Sequence, residues 1–97
     1  MIKKNDQENI EYLYKLILAI ESEEECAALF DDLCTKKELA SIAQRAVVAK
    51  MLSEKCVYSK IVEETGASTA TISRVNRFLS FGSGGYDKLF EKVKMKD

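Results

Sequence analysis

The stretch YSKIVEETGASTATISRVNR, residues 58–77, decides the fold, because it describes a short helix, a glycine turn and a second helix. Ile61 and Val62 mark the buried side of the first helix. Gly66 follows where the chain must turn sharply, and glycine adopts the left-handed conformation after a helix without a Cβ penalty. Ser68 can then cap the second helix, since its hydroxyl can accept from a free backbone N–H in the first turn. A helix of roughly 8 residues, a turn of about 3 and a second helix form the helix-turn-helix pattern.

The second predicted helix separates apolar from polar side chains at the helical repeat of about 100° per residue. Its apolar side consists of Ile72, Val75 and Leu79, flanked by Phe78. Its opposite side consists of Thr69, Ser73, Asn76, Arg77 and Ser80, with Ala70 at the edge. This polar side carries no carboxylate, although solvated helices favour Glu, Lys and Gln over Thr and Ser. Hydroxyls, Ala and Arg suit contacts with base edges, thymine methyls and phosphates, so the face predicts entry into the DNA major groove. The alternative is the ordinary polar surface of an all-α domain.

Charge is unevenly distributed along a chain whose net charge is −1. Residues 1–34 hold three lysines against nine acidic residues, a net of −6. Residues 35–81 hold eight basic against four acidic residues, a net of +4, and residues 82–97 add +1. Phosphate binding requires a local positive potential, so the middle segment is the expected DNA footprint and the acidic N-terminal part is expected to face away.

The composition of the 97 residues favours one small all-α domain, residues 1–97, since Ala, Leu, Glu, Lys and Ile dominate and proline is absent. No window could span a membrane and no secretory signal follows Met1, so a cytoplasmic protein without membrane contact is expected. Cys26, Cys34 and Cys56 lack metal-ligand spacing and histidine is absent, so neither a metal nor a cofactor is predicted. No catalytic residue can be assigned, and the sequence does not indicate an enzyme.

The periodicity predicts helices at about residues 6–20, 23–33 and 36–54, a helix-turn-helix at 58–80 and a C-terminal core helix at 86–95. Thr35 and Glu38 are expected to form a capping box for the third helix. The first helix is apolar nearly all round in its second half, so it needs cover on every side. We expect a second copy of the chain to supply this cover, which makes residues 6–54 dimerisation helices. Full burial within a monomer is the alternative.

Apolar positions on the other helices predict which side chains lie inward. In the second helix these are Cys26, Ala27, Leu29, Phe30 and Leu33. In the third helix they are Leu39, Ile42, Ala43, Ala46, Val47, Val48 and Leu52. In the last helix they are Leu89, Phe90 and Val93.

Several of these features together resemble the tryptophan repressor family. They are the order of six helices, Leu33-Cys34-Thr35 before the third helix, Gln44-Arg45 within it, and Gly66-Ala67-Ser68-Thr69-Ala70-Thr71-Ile72-Ser73-Arg74. ISRVNR followed by FLSFG, ending at Gly82, is closest to the TrpR-like YerC/YecD branch. The resemblance covers about residues 10–95 and implies an all-α, six-helix intertwined homodimer. It also implies a transcriptional repressor in the cytoplasm, on the nucleoid when bound to DNA, whose two recognition helices meet a palindromic operator.

The resemblance also implies which residues contact double-stranded DNA. The matching positions are Tyr58, Ser59, Val62, Thr69, Ala70, Thr71 and Ser73. Val62 stands where the tryptophan repressor has a basic residue, so that contact is expected to be missing. The arrangement of side chains around the helix adds Lys60 and Arg77 as phosphate or base contacts, and Ser68 completes the predicted set.

The family's corepressor pocket is matched only in part. The resemblance places Arg45 and Arg74 beside a bound indole ring, with Thr35 lining the same pocket. Val75 replaces a glycine that leaves space for the ligand, and Phe78 replaces a serine that helps to hold its amino group. We expect Val75 and Phe78 to fill this pocket and to hold the recognition helices without tryptophan. One alternative is a different small effector whose carboxylate is held by the two arginines, and another is ion pairing or phosphate binding by them.

A second class of function is a helical protein-interaction module that acts on another regulator. The hydroxyl-rich helix would then dock on a protein, and the acidic N-terminal part would suit such a partner. Salt separates the two classes, because counterion release makes DNA affinity fall steeply as salt is added.

Overall fold

Residues 4–96 are described by a computed structural model, in which they form six α-helices and no strand. The helices are α1 (Lys4–Leu18), α2 (Glu23–Leu33), α3 (Lys36–Ser53), α4 (Tyr58–Thr65), α5 (Thr69–Phe81) and α6 (Gly85–Lys96). The predicted all-α class and the order of the six helices are therefore confirmed. No helix in this part of the chain combines the length and the apolar character that crossing a membrane requires. The described residues form two compact units, 4–39 and 40–96.

Side-chain caps fix the starts of α2 and α3. The Ser22 hydroxyl accepts from the Glu25 N–H at 3.1 Å, and a Glu25 carboxylate oxygen accepts from the Glu21 N–H at 2.9 Å. The Thr35 hydroxyl accepts from the Glu38 N–H at 3.0 Å, and Glu38 Oε1 accepts from the Thr35 N–H at 2.8 Å. These bonds satisfy donors that a helix N-terminus leaves free, and the predicted capping box of α3 is confirmed.

The first helix begins and ends two residues before its predicted bounds of 6–20. The Ala19 N–H is shared between the carbonyl oxygens of Lys15 and Leu16, and the next N–H reaches only three residues back. Such three-residue bonds are typical of the tighter turn that often closes an α-helix, which is why α1 stops at Leu18.

None of residues 5–39 is buried in the single chain. Exposed apolar side chains include Tyr12 at 62% and Leu18 at 84%. Of the residues predicted to lie inward on α2, the half-buried ones are Cys26, Leu29 and Phe30, and the exposed ones are Ala27 and Leu33. The predicted burial of the last two is wrong for the single chain, because two short helices cannot cover each other's apolar sides.

The hydrophobic core lies in the second unit. Its buried residues are Val48, Ala49, Met51, Ile61, Ala67, Ile72 and Val75, and Leu52, Cys56, Tyr86 and Phe90 pack against them. Burial of a side chain such as Ile61 or Ile72 contributes about 1.5–3 kcal/mol. A polar contact also joins α3 to the end of α4, since Gln44 Nε2 donates to the Thr65 carbonyl oxygen at 3.0 Å. The core therefore fixes α4 and α5 on α3.

The covered side of α3 differs from the predicted apolar stripe. Val48 is buried as predicted, but Ala49 and Met51 are buried beside it, while Leu39 and Leu52 are only half-buried. The remaining stripe residues, Ile42, Ala43, Ala46 and Val47, are exposed in the single chain. The prediction of their burial is wrong for the single chain, because the core covers Val48, Ala49 and Met51 of α3 and leaves these four side chains outside it.

The last helix also meets the core with a different side from the one predicted. Phe90 is half-buried as expected, but Leu89 and Val93 are each 59% exposed, so their predicted burial is wrong for the single chain. Tyr86 packs on the core instead, and its ring stacks on that of Phe90 with centroids 5.6 Å apart. Residues four apart lie on the same side of a helix, which explains this pairing.

Candidate nucleic-acid interface

The turn between α4 and α5 is fixed by hydrogen bonds of its own residues. Gly66 lies in the left-handed region, with φ 73° and ψ 5°, and its N–H donates to the Val62 carbonyl oxygen at 2.9 Å. The Thr65 hydroxyl donates to the Ile61 carbonyl oxygen at 2.7 Å and accepts from the Ala67 N–H at 3.1 Å. The sequence predicted the glycine, whereas this role of Thr65 was not anticipated. Together these bonds set the direction in which α5 leaves the turn.

Ser68 caps α5 as predicted. Its hydroxyl accepts from the Thr71 N–H at 3.1 Å and donates to the Thr71 hydroxyl oxygen at 3.0 Å. Both residues were predicted to contact DNA, and the structure also gives both a part in the cap. At the start of α4, by contrast, Val57 makes no side-chain cap bond, as its apolar side chain predicts.

The two sides of α5 have different surroundings. Ile72 is fully buried and Val75 is 3% exposed, while Leu79 is half-buried. The recognition face, defined here as Thr69, Ala70, Ser73 and Arg77, is exposed along its whole length. Because Thr69, Ser73 and Arg77 are each four residues apart, they stand one above another along the helix. Asn76, predicted on the polar side, is half-buried at its margin.

Residues of α4 add a second exposed group. Tyr58 is 38% exposed, and Ser59 and Lys60 are exposed at the start of the helix. Ile61 is fully buried, whereas Val62 is 37% exposed, so the prediction that both mark the buried side is wrong for Val62. Ile61 alone reaches the core, because α4 is a single short helix that meets the core on one side.

Two concavities flank α5 within the second unit. The first has a volume of about 580 Å³ and is lined by residues of α3 and α5, by the turn after α5 and by the start of α6. Arg45, Arg74, Val75 and Phe78 line it, which are four of the five predicted effector residues. The fifth, Thr35, belongs to the other unit, where its hydroxyl accepts from the Glu38 N–H.

The first concavity keeps a volume of about 580 Å³ in the single chain, in which Phe78 is 60% exposed and Val75 is part of the core. Filling of this space by the two side chains therefore stays a prediction. Asp87 brings a carboxylate to the same concavity. Among residues 4–96, no three side chains of Cys, Asp or Glu come together as a metal site would require.

The second concavity has a volume of about 530 Å³. It is lined by Arg45, Ala70, Ser73, Arg74, Arg77 and Phe78. Arg45 comes from α3 and the other five come from α5, so the concavity joins the recognition face to the neighbouring helix. From the sequence, Arg45 and Arg74 were expected in the effector pocket. A concavity that they line together with Arg77 was not predicted.

Similarity to known proteins, in sequence and in structure, covers nearly the whole chain. The uncharacterized protein YerC of Bacillus subtilis (strain 168) is 48% identical over 93 residues, which cover 96% of this chain and 89% of that protein. A TrpR-like protein from Eubacterium eligens ATCC 27750 has a crystal structure with a TM-score of 0.87 and 49% identity over 91% of each chain. A solved chain from Staphylococcus aureus has a TM-score of 0.85 and 44% identity, over 89% of this chain and 86% of that chain.

The family comparison covers the core and both helices of the candidate interface. The model of the Trp repressor protein family matches residues 8–94. The resemblance predicted from the residues of the turn and of α5 is thereby confirmed, and so is the likeness to YerC. The chain belongs to the Trp repressor protein family.

Proposed function

We propose that this chain is a sequence-specific DNA-binding transcriptional repressor, which binds a palindromic operator as a homodimer and does not require tryptophan. The observation that carries the proposal is the recognition face of α5. Its four side chains are exposed and free of carboxylates, while Ile72 and Val75 on the other side fix the helix to the core. A helix held in this way is suited to enter a major groove.

Each residue type on this face has a role that its chemistry supports. The Thr69 and Ser73 hydroxyls can donate to or accept from base edges, and the Ala70 methyl can contact thymine. Arg77 can bind a guanine or a phosphate. On α4, Tyr58, Ser59 and Lys60 are exposed, and their hydroxyl and ammonium groups can donate to phosphate oxygens. Ser68 and Thr71 lie at the N-terminus of α5, where backbone N–H groups and the helix dipole favour a phosphate.

The homodimer is supported by apolar surface that the single chain leaves uncovered. None of residues 5–39 is buried, and Ile42, Ala43, Ala46 and Val47 form an exposed apolar side of α3. Soluble monomers rarely expose large contiguous apolar patches, and a second copy would cover these. Two copies would present two recognition helices about 34–36 Å apart, one turn of the DNA helix.

Independence from tryptophan is supported by the composition of the first concavity. Val75 and Phe78 bring apolar volume to the place where the family resemblance puts an indole ring, and Val75 is part of the core. Calorimetric titration of the protein with millimolar L-tryptophan is expected to give no saturable heat. Saturable binding would contradict this part of the proposal.

The experiment that tests the proposed function is selection of genomic DNA fragments by the purified protein, followed by fluorescence anisotropy at two salt concentrations without added ligand. Enrichment of a palindrome and affinity that falls steeply with salt are expected. Ser73→Glu should abolish binding, since it places a carboxylate on the recognition face. Ser83→Glu, which adds the same charge in the turn after α5, should not. Selection of no sequence, or affinity insensitive to salt, would favour the interaction module instead.

A further inference from the structure

Three arginines from two helices line the second concavity. Arg74 and Arg77 lie three residues apart on α5, and Arg45 belongs to α3. The helical repeat of α5 therefore accounts for only two of the three arginines. Among residues 4–96, no carboxylate lines this concavity, whereas Asp87 lines the first one. We define Arg45, Arg74 and Arg77 as the arginine cluster.

Three positively charged side chains line one concavity, so an anion bound there would be attracted to each of them. Arginine stays charged at all physiological pH values, and its planar fork of donors matches the oxygens of a phosphate. The volume of about 530 Å³ leaves room for a phosphate group and for water around it. The chemistry of the concavity therefore indicates a phosphate oxyanion.

The position of the concavity indicates which phosphate it takes. Ala70, Ser73 and Arg77 line it and also belong to the recognition face, so a bound anion would lie directly beside that face. When a helix enters a major groove, the phosphate backbone borders the groove on both sides of the helix. DNA bound to the recognition face would therefore bring a backbone phosphate to the concavity, which favours this phosphate over a free anion.

We infer that the arginine cluster holds a backbone phosphate next to the bases that α5 contacts, which assigns Arg45 of α3 to the DNA interface. The inference rests on the proposed function and adds a phosphate-binding residue outside the two helices of the helix-turn-helix. It also assigns Arg45 and Arg74 to DNA rather than to a small effector in the first concavity.

The test compares the wild-type protein with Arg45→Gln on the selected operator over a range of salt concentrations. Arg45 is exposed, so thermal unfolding of the variant should match that of the wild type. Loss of one phosphate contact per subunit is expected to weaken binding about tenfold or more and to reduce the salt slope by roughly 0.9 for each contact. Lys92→Gln, an exposed position on α6 that lies outside residues 35–81 and lines neither concavity, is the control for loss of one positive charge and should change neither quantity. Arg45→Lys keeps the charge but loses the fork, so its affinity should be intermediate.

Neutral methylphosphonate linkages locate the contact. One linkage in each half-site should weaken wild-type binding, and the same linkage should cost Arg45→Gln little more, because the contact is already gone. If the wild type binds the operator and every neutral linkage costs both proteins equally, the inference is overturned and the proposed function stands. If the wild type binds no DNA, both are overturned.

A separate titration with inorganic phosphate, without DNA, distinguishes the other source of the same anion. Saturable binding of phosphate that Arg45→Gln abolishes, together with an unchanged DNA salt slope in that variant, would assign the cluster to a free anion and overturn the inference. The inference expects only weak phosphate binding and a reduced slope.

Discussion

Within residues 4–96, the hydroxyl side chains of Ser22, Thr35 and Ser68 cap the N-termini of α2, α3 and α5. Each accepts from the N–H three residues later, so each satisfies a donor that the helix itself leaves free. Such caps are local, since they depend on residues three positions apart. This is why two of them, Thr35 and Ser68, could be predicted from the sequence with the correct partner or position.

Replacement of Ser68 by alanine is expected to lower the free energy of unfolding by about 1 kcal/mol, because the Thr71 N–H loses its acceptor. Urea denaturation at a fixed protein concentration measures this change. Ser80→Ala, an exposed position later in α5 for which no cap bond is expected, is the matched control and should change the stability much less. Equal effects of the two substitutions would show that the cap is not what stabilises α5.

Glu38 gives a pH dependence with a definite sign. The Thr35 backbone N–H, and then the Thr35 side chain, lower the pKa of Glu38 from its ordinary value. The capping box therefore stabilises the protein at neutral pH, and this contribution is lost as the pH falls below the usual glutamate range and through the lowered pKa. An NMR titration of the Glu38 side-chain carboxyl carbon measures this pKa and should show it below the ordinary glutamate value. In Thr35→Ala the backbone bond remains, so the pKa of Glu38 should rise only part of the way back.

At the scale of elements, periodicity predicted all six helices but not always the side that they bury. The apolar side of α5 is continuous, and Ile72 and Val75 are buried as predicted. The third helix is apolar on more than one side, so its buried side depends on where α4 and α5 pack, which no pattern within α3 specifies. The concavities likewise depend on contacts between helices, so a concavity lined by both Arg45 and Arg77 could not be predicted from spacing.

The left-handed conformation of Gly66 connects α4 to α5, and substitution of this residue measures how much that conformation matters for stability. Gly66 has φ 73°, and a Cβ built there would meet no atom within 4 Å, so substitution introduces strain without a clash. Gly66→Ala is expected to reduce the free energy of unfolding by about 1–2 kcal/mol. Gly66→Asn should cost less, because asparagine tolerates the left-handed region. If the two variants were equally stable in urea, backbone strain would not be the cause.

At the scale of the whole molecule, the uncovered apolar surface is the feature that a single chain does not explain. Residues 5–39 include exposed Tyr12, Tyr14 and Leu18, and none of them belongs to the core. The sequence indicated a second copy from the apolar excess of the first helix. The exposed apolar side of α3 also favours a second copy of the chain, because its side chains were predicted to be buried and the single chain does not bury them.

Leu18, 84% exposed in the single chain, provides the test of the homodimer. Leu18→Gln should leave the secondary structure unchanged and raise the dimer dissociation constant by about a hundredfold to ten-thousandfold, because each of two symmetric copies loses about 1.5–3 kcal/mol of burial. Analytical ultracentrifugation measures the constant, and Lys15→Gln on the same helix is the control. A monomeric wild type would contradict the homodimer, and an unchanged constant would place Leu18 outside the interface.

Hydroxyl-radical footprinting of the wild-type protein on its selected operator, without added ligand, tests the central claim most directly. A homodimer that places one α5 in each of two successive major grooves should protect two symmetric windows about 10 base pairs apart. Ser73→Glu should lose both windows together, because both subunits carry the change. A single window, or two windows that persist in Ser73→Glu, would contradict the account of α5 as the recognition helix of a symmetric dimer.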